Sequence, residues 1–381
     1  MLQFTRLLTL VPTVFLLFPH AISASSPRLV SSRGSTLSGT ITVGQNGTEL
    51  FYTDSGPPAS DSYVTFFAVH GLGFDEGIFQ KVQALMQTSG ARFVAINRRD
   101  YPHSTPYSAA EISVIINGTD SERTQFSTAR GVELLTFMSQ FIVQKGLSPI
   151  SADGLTGGIV LIGWSLGNPL PLAAVGSIDK VPSSMQKQLA SYMRGLIMQE
   201  PAPNILGLPT PAQNWAPLID TSFPAVDQIP MFNIWVTSYF QQGDLSTRDL
   251  NQLSWVVPAV FREPSIFNMT PSQFNSIVLN GTNVVNDLLT VLNFGPQLLL
   301  NYQQSNFNTT IRNLLPSMRN SLICGDVSLA FSIAAFWDVE DDNEAAGGGF
   351  VSFDLVEGVN HFIHWDNPET AKNVYLASVE R

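Results

Sequence analysis

The chain holds a single cysteine, Cys324, in 381 residues. That excludes an intramolecular disulfide, a CxxC redox pair and a cysteine-built zinc site. Charge is also scarce. Asp, Glu, Lys and Arg make up 13% of the residues, against an ordinary share of about 25%. Basic residues are the scarcer sign, with 19 Lys plus Arg facing 30 Asp plus Glu for a net charge of -11. Nucleic acid and anionic membranes both need a basic footprint, so neither is an expected partner. After the N-terminus no apolar run is long enough for a transmembrane helix, which needs about 20 residues. There are five histidines, His20, His70, His103, His361 and His364, so histidine chemistry can be assigned by elimination.

What is present argues for a large folded chain. Hydrophobic residues reach 44%, which excludes a disordered polymer. Residues 1–24 have the build of a secretory signal peptide. Arg6 supplies the positive start, Leu7 to Phe18 the apolar stretch, and Ala21 to Ala24 the small residues of a cleavage site. The expected location is extracellular. Five N-x-[ST] sequons follow, at Asn46, Asn117, Asn268, Asn280 and Asn308, and each permits a glycan. Roughly three would arise by chance in a chain so rich in Asn, Ser and Thr, so they permit secretion without establishing it.

Hydrophobic periodicity predicts two β runs, Gly39 to Val43 and Glu49 to Thr53, around a turn at Gln45-Asn46-Gly47. Four continuous apolar runs then read as buried parallel strands: Tyr63 to Val69, Arg92 to Ile96, Gly158 to Gly163 and Gly195 to Met198. Helical spacing falls between them, at Phe79 to Met86, Ser127 to Lys145 and Leu166 to Val175. The alternation stops at Pro201 and resumes at Ser321 to Gly325. One more strand follows at Phe350 to Leu355, then a closing helix from Pro368 to Glu380. The intervening roughly 115 residues are too many for a plain loop. The expected organisation is a signal peptide (1–24), a core (25–200), a mainly helical cap inserted after the sixth strand (201–316), and the rest of the core (317–381).

Chemistry enters at Gly163-Trp164-Ser165-Leu166-Gly167. A G-x-S-x-G is weak alone, but this one ends a buried strand and opens a helix. Such a turn presents a serine hydroxyl at a helix N-terminus, where developing negative charge is favoured. A serine needs a base. His361 follows the last strand, whose C-terminal edge shares a rim with Ser165. His364 reads as a structural histidine beside Trp365. His361-x-x-His364-x-Asp366 could be written as metal ligands, but one such cluster is too poor for a closed site. No metal or cofactor is expected.

With these motifs in order, the chain resembles the α/β-hydrolase fold family of the cap-bearing, secreted serine hydrolase type. The match runs through His70-Gly71-Leu72-Gly73 after one strand, Asn97 to Ser104 after the next, the Ser165 turn, and His361 after the last. Asn97 to Ser104 resembles the family's D-x-R-G-x-G-x-S loop, departing at Asn97, Asp100 and His103. The insertion matches nothing. The resemblance implies a mostly parallel sheet flanked by helices, and an oxyanion hole from the backbone N–H groups of Leu72 and Leu166. It also implies a catalytic acid between Ser165 and His361. Asp326, after the strand ending at Gly325, is the expected acid. Glu200, after the earlier strand, is the alternative, and Asp338, Glu340, Asp341 and Asp342 read as a solvated acidic loop. The implied activity is hydrolysis of a small-molecule or lipid carboxylic ester through an acyl-enzyme. A thioester or amide hydrolase, or a non-catalytic ligand-binding protein on the same fold, are the alternatives. The cap aromatics Trp215, Phe223, Phe232, Trp235, Tyr239, Phe240 and Trp255 suit either an apolar acyl group or core packing.

Overall fold

The structure, a computed structural model, describes residues 36–380. The signal-peptide expectation falls outside this range. Eight strands form one sheet: β1 (Leu37–Thr42), β2 (Glu49–Asp54), β3 (Thr65–Val69), β4 (Arg92–Ile96), β5 (Ile159–Trp164), β6 (Met193–Gln199), β7 (Arg319–Gly325) and β8 (Val351–Val356). Their order is β1-β2-β4-β3-β5-β6-β7-β8. β1 and β2 pair antiparallel, as do β2 and β4, and every later pairing is parallel.

Thirteen α-helices accompany the strands among the described residues. In the core come α1 (Gln80–Thr88), α2 (Ala109–Asn117), α3 (Asp120–Lys145), α4 (Pro169–Gly176) and α5 (Ser183–Ala190). Between β6 and β7 lie α6 (Ala225–Val236), α7 (Pro271–Ile277), α8 (Thr282–Asn293), α9 (Gly295–Asn306) and α10 (Thr309–Asn313). No strand of the sheet falls in that stretch. The chain closes with α11 (Ala330–Ala345), α12 (Ile363–Asp366) and α13 (Pro368–Glu380).

The uninterrupted apolar strands have a direct cause. Phe67 and Val69 of β3, with Ile159 and Leu161 of β5, pack on one face against Leu134, Phe137 and Phe141 of α3. Phe66 and Ala68, with Val160 and Ile162, pack on the other against Val82 and Met86 of α1 and Tyr375 of α13. Both faces of the sheet are covered, so alternate residues have no polar side to present.

Helix starts follow local chemistry. Ser108 and Glu111 form a reciprocal capping box on α2, and Thr119 and Glu122 form one on α3. Pro169 opens α4, where its missing N–H costs nothing. The sequence reading missed α2 and α5, and placed Asp338, Glu340, Asp341 and Asp342 in a loop. All four belong to the sixteen-residue α11. That helix buries Ile333, Ala335, Phe336 and Val339 on nearly all sides, so it lacks the one-sided period that betrays a helix. In the segment between β6 and β7 the aromatics Phe232, Trp235, Tyr239, Phe240 and Trp255 are buried. Trp235 lies 5.6 Å from Trp215 and 6.0 Å from Phe331 of α11, and Phe331 in turn lies 5.8 Å from His361. Core packing thus accounts for this set.

Candidate active site

β5 ends directly in Ser165, whose φ is +52°. A serine rarely adopts this left-handed conformation, and such strain persists only where surrounding contacts enforce it. The flanking glycines show how. A Cβ on Gly163 would stand 2.6 Å from Asn168 Cα, and one on Gly167 would stand 2.3 Å from the Val69 carbonyl. Only glycine lets the turn close this tightly against β3. Asn168 Nδ2 then donates to the Ser165 carbonyl at 2.8 Å and to the Gln199 carbonyl at 3.1 Å, tying the turn to β6.

His361 is fully buried in the loop after β8. The indole N–H of Trp164, the residue before Ser165, donates to the His361 carbonyl at 3.0 Å. The serine turn and the histidine loop are thereby registered on one another. His361 Nδ1 lies 3.1 Å from Glu200 Oε2. With a carboxylate on Nδ1 that nitrogen carries the proton, leaving Nε2 as the basic position. Nε2 is buried and has no hydrogen-bond partner among the described residues.

Glu200 follows β6 and also has φ +52°. Its backbone N–H donates to the Ile323 carbonyl of β7 at 2.9 Å. Its carboxylate is 1% exposed and accepts from Gly325 N–H at 2.6 Å and Ser328 Oγ–H at 2.5 Å. A buried carboxylate is tolerated only with such donors around it. Asp326, the expected acid, is placed differently. Its Oδ1 accepts from Gly358 N–H at 2.7 Å, and its backbone N–H donates to the Val356 carbonyl at 3.1 Å. The structure therefore brings Glu200, not Asp326, to His361. β6 and β7 run parallel with Gln199 level with Ile323, so both strand ends approach the histidine loop. The left-handed turn at Glu200 sends that side chain inward, while Asp326 goes to the turn after β8.

The other histidines are occupied elsewhere. His364 Nδ1 accepts from Gln199 Nε2 at 3.0 Å. Gln199 Oε1 accepts in turn from the Tyr375 hydroxyl. Burial holds His364 well below the ordinary histidine range, reinforced by His361 and Lys81. His103 lies tilted against Phe51, with ring centres 4.9 Å apart. His70 is buried, and burial together with Arg98 holds its pKa well below the ordinary value. Its neutral ring donates from Nδ1 to the Gly71 carbonyl at 3.0 Å and accepts at Nε2 from Arg98 N–H at 3.2 Å.

The His70 to Asp75 loop lies against the serine. A Cβ on Gly71 would stand 3.0 Å from Ser165 Cβ. Leu72 therefore follows directly on a residue touching Ser165, and Leu166 follows Ser165 itself. Leu166 also lines a cavity of about 80 Å³ whose walls combine apolar residues such as Phe126 and Phe294 with the charged Arg98, Arg99, Arg130, Glu133 and Asp287. Sequence reasoning missed Ser328, Arg98 and Asp287. Ser328 sits three residues past β7 with no motif around it. Asp287 lies in the unmatched insertion, and only the fold brings it to Arg98.

Asn46, Asn117, Asn268 and Asn280 are exposed and Asn308 is half-buried. Among the described residues, no cluster of three or more His, Cys, Asp or Glu could hold a metal ion, and no helix is long and apolar enough to cross a membrane.

No protein-family profile and no curated protein matches the chain. Solved structures with a similar trace include a bromoperoxidase from Bacillus anthracis, with 13% identity and a TM-score of 0.48 over 91% of this chain and 100% of that one. They also include an epoxide hydrolase from Vigna radiata, with 13% identity and a TM-score of 0.44 over 92% and 99%. An esterase from Exiguobacterium antarcticum has 13% identity and a TM-score of 0.41 over 90% and 99%. At these values they bring no substrate or mechanism to this chain. The strand order, with its antiparallel start, parallel remainder and tight β5-to-helix turn, is that of the α/β-hydrolase fold.

Proposed function

We propose that this chain is a secreted serine hydrolase that cleaves carboxylic esters through an acyl-enzyme, with Ser165 as nucleophile, His361 as base and Glu200 as acid. The observation that carries the reading is the buried His361–Glu200 pair at 3.1 Å, registered through Trp164 on the strained Ser165. Nδ1–H is held by the carboxylate, so Nε2 takes the Ser165 proton as Oγ attacks the ester carbonyl. The imidazolium is stabilised by Glu200 and returns its proton to the departing alcohol. Water then enters, gives a proton to Nε2 and attacks the acyl carbonyl, and Ser165 leaves with that proton. The N–H groups of Leu72 and Leu166 are the donors assigned to the oxyanion, each worth about 3 kcal/mol of barrier. The proposed domain organisation has the segment between β6 and β7 as a cap over this site. The N-terminal segment is proposed as a signal peptide and the five sequons as glycan acceptors.

The test is hydrolysis of p-nitrophenyl esters of increasing acyl length by the secreted protein and by Ser165→Ala, with fluorophosphonate labelling of both. Turnover and labelling of the wild type, both lost in Ser165→Ala, support the reading, and the length optimum gives the acyl preference. A wild type that neither labels nor turns over any ester sinks it in favour of a ligand-binding protein. Labelling without ester turnover points to a thioester or amide.

A further inference from the structure

Leu72 N–H belongs to the same peptide unit as the Gly71 carbonyl. The chain has no cis peptide among the described residues, and in a trans peptide the C=O and N–H point in opposite directions. Whatever holds the Gly71 carbonyl therefore aims the Leu72 N–H. Two groups hold it: the His70 Nδ1–H at 3.0 Å, and Arg98, whose Nη2 donates to it at 3.1 Å and whose Nε donates to the His70 carbonyl at 3.2 Å. The His70 bond is internal to the loop, whereas Arg98 ties two successive loop carbonyls to a residue outside it.

Arg98 is itself fixed by a residue of the insertion. Asp287, on α8, takes the guanidinium in a two-pronged pair, with Nη1 at 2.7 Å from Oδ1 and Nη2 at 2.6 Å from Oδ2. The Tyr101 hydroxyl donates to Asp287 Oδ2 at 2.6 Å and accepts from Gly73 N–H at 3.4 Å. A planar guanidinium with both edges engaged has no freedom to swing away from the two carbonyls. The insertion grips the same loop a second time. Leu279 N–H donates to the Gly73 carbonyl at 2.8 Å, and Asp75 N–H donates to the Ile277 carbonyl at 3.1 Å.

We infer that Asp287 is a positioning residue: through Arg98 it orients the Gly71–Leu72 peptide, so that the aim of the oxyanion donor depends on the insertion being seated. This rests on the serine-hydrolase reading, since the donor's role comes from it. The Asp287 carboxylate bonds to Arg98 and Tyr101 and not to Ser165. Its effect belongs to the tetrahedral state and not to substrate binding, because an oxyanion donor aims at charge that develops during attack.

The experiment is Asp287→Asn, with sites counted by fluorophosphonate titration. Per labelled site, kcat is expected to fall roughly ten- to a hundredfold, approaching the loss of one oxyanion donor, with KM within about threefold. Affinity for an aryl boronic acid, which forms a tetrahedral adduct on the serine, should fall by the same factor as kcat. A merely structural residue would lower the melting temperature or the titrated fraction without moving the boronate affinity per site. Should Asp287→Asn fail to fold, Tyr101→Phe removes one donor to the same carboxylate and should lower kcat severalfold with KM held. Unchanged kcat per site in a folded Asp287→Asn, or in Tyr101→Phe where the first does not fold, overturns the inference and leaves the hydrolase reading standing. A wild type that neither labels nor turns over esters overturns both.

Discussion

Two carboxylates stand at the ends of neighbouring parallel strands, Glu200 after β6 and Asp326 after β7. Glu200 is buried, with two donors and a histidine on its oxygens. Asp326 is half-buried and bonded to the backbone of the turn at Gly358. The difference lies in the backbone and not in the acid. Glu200 sits at φ +52° with its N–H committed to β7, and this turns its side chain under the sheet's rim toward His361. Distance along the chain from a motif does not decide which carboxylate serves the histidine. The direction in which the strand end releases its side chain decides it.

The largest effect should come from breaking the Glu200 side. Glu200→Gln keeps the shape but favours the wrong histidine tautomer, and kcat is expected to fall about 10³- to 10⁴-fold. Steady-state kinetics per titrated site checks it, and a loss under tenfold would remove Glu200 from the proposed triad. Moving the charge sharpens the contrast. The double variant Glu200→Gln with Asp326→Glu should stay as slow as Glu200→Gln alone, because Asp326 faces the Gly358 turn. Recovery beyond about tenfold would mean that either strand end can supply the acid.

Ser328→Ala removes one donor from the Glu200 carboxylate. The expected cost is about 1–2 kcal/mol in stability, read by denaturant unfolding, with roughly a tenfold drop in kcat. Equal stability and activity would show that the remaining donors suffice. The smallest effect belongs to Asp326→Asn, whose Oδ1 can still accept from Gly358 N–H. Stability should change by less than about 1 kcal/mol and kcat by less than about threefold. A large kcat loss there, with stability kept, would reverse the comparison.

The readable parts of this chain share a physical trait. β3, β4, β5, β6 and β7 are buried on both faces, and such strands announce themselves as unbroken apolar runs. Ser165 was legible because its turn needs glycine on both sides, a requirement of local sterics alone. His361 was legible because few histidines compete and one lies just past the last strand. α2 and α5 were not legible. They are eight or nine residues long, and each buries a single residue, too little to print a period.

By itself the sequence determined the alternating order of strands and helices, the strained serine turn and the histidine loop after β8. These follow from burial and backbone sterics within a few residues. Which carboxylate meets His361, and which residue of the insertion steadies the loop beside Ser165, were decided only in three dimensions. Glu200 and His361 are 161 residues apart, and Arg98 and Asp287 are 189 apart. No local pattern encodes such pairs, because their energy exists only after the sheet has brought the strand ends to one rim and the segment between β6 and β7 has packed against the Arg98 loop.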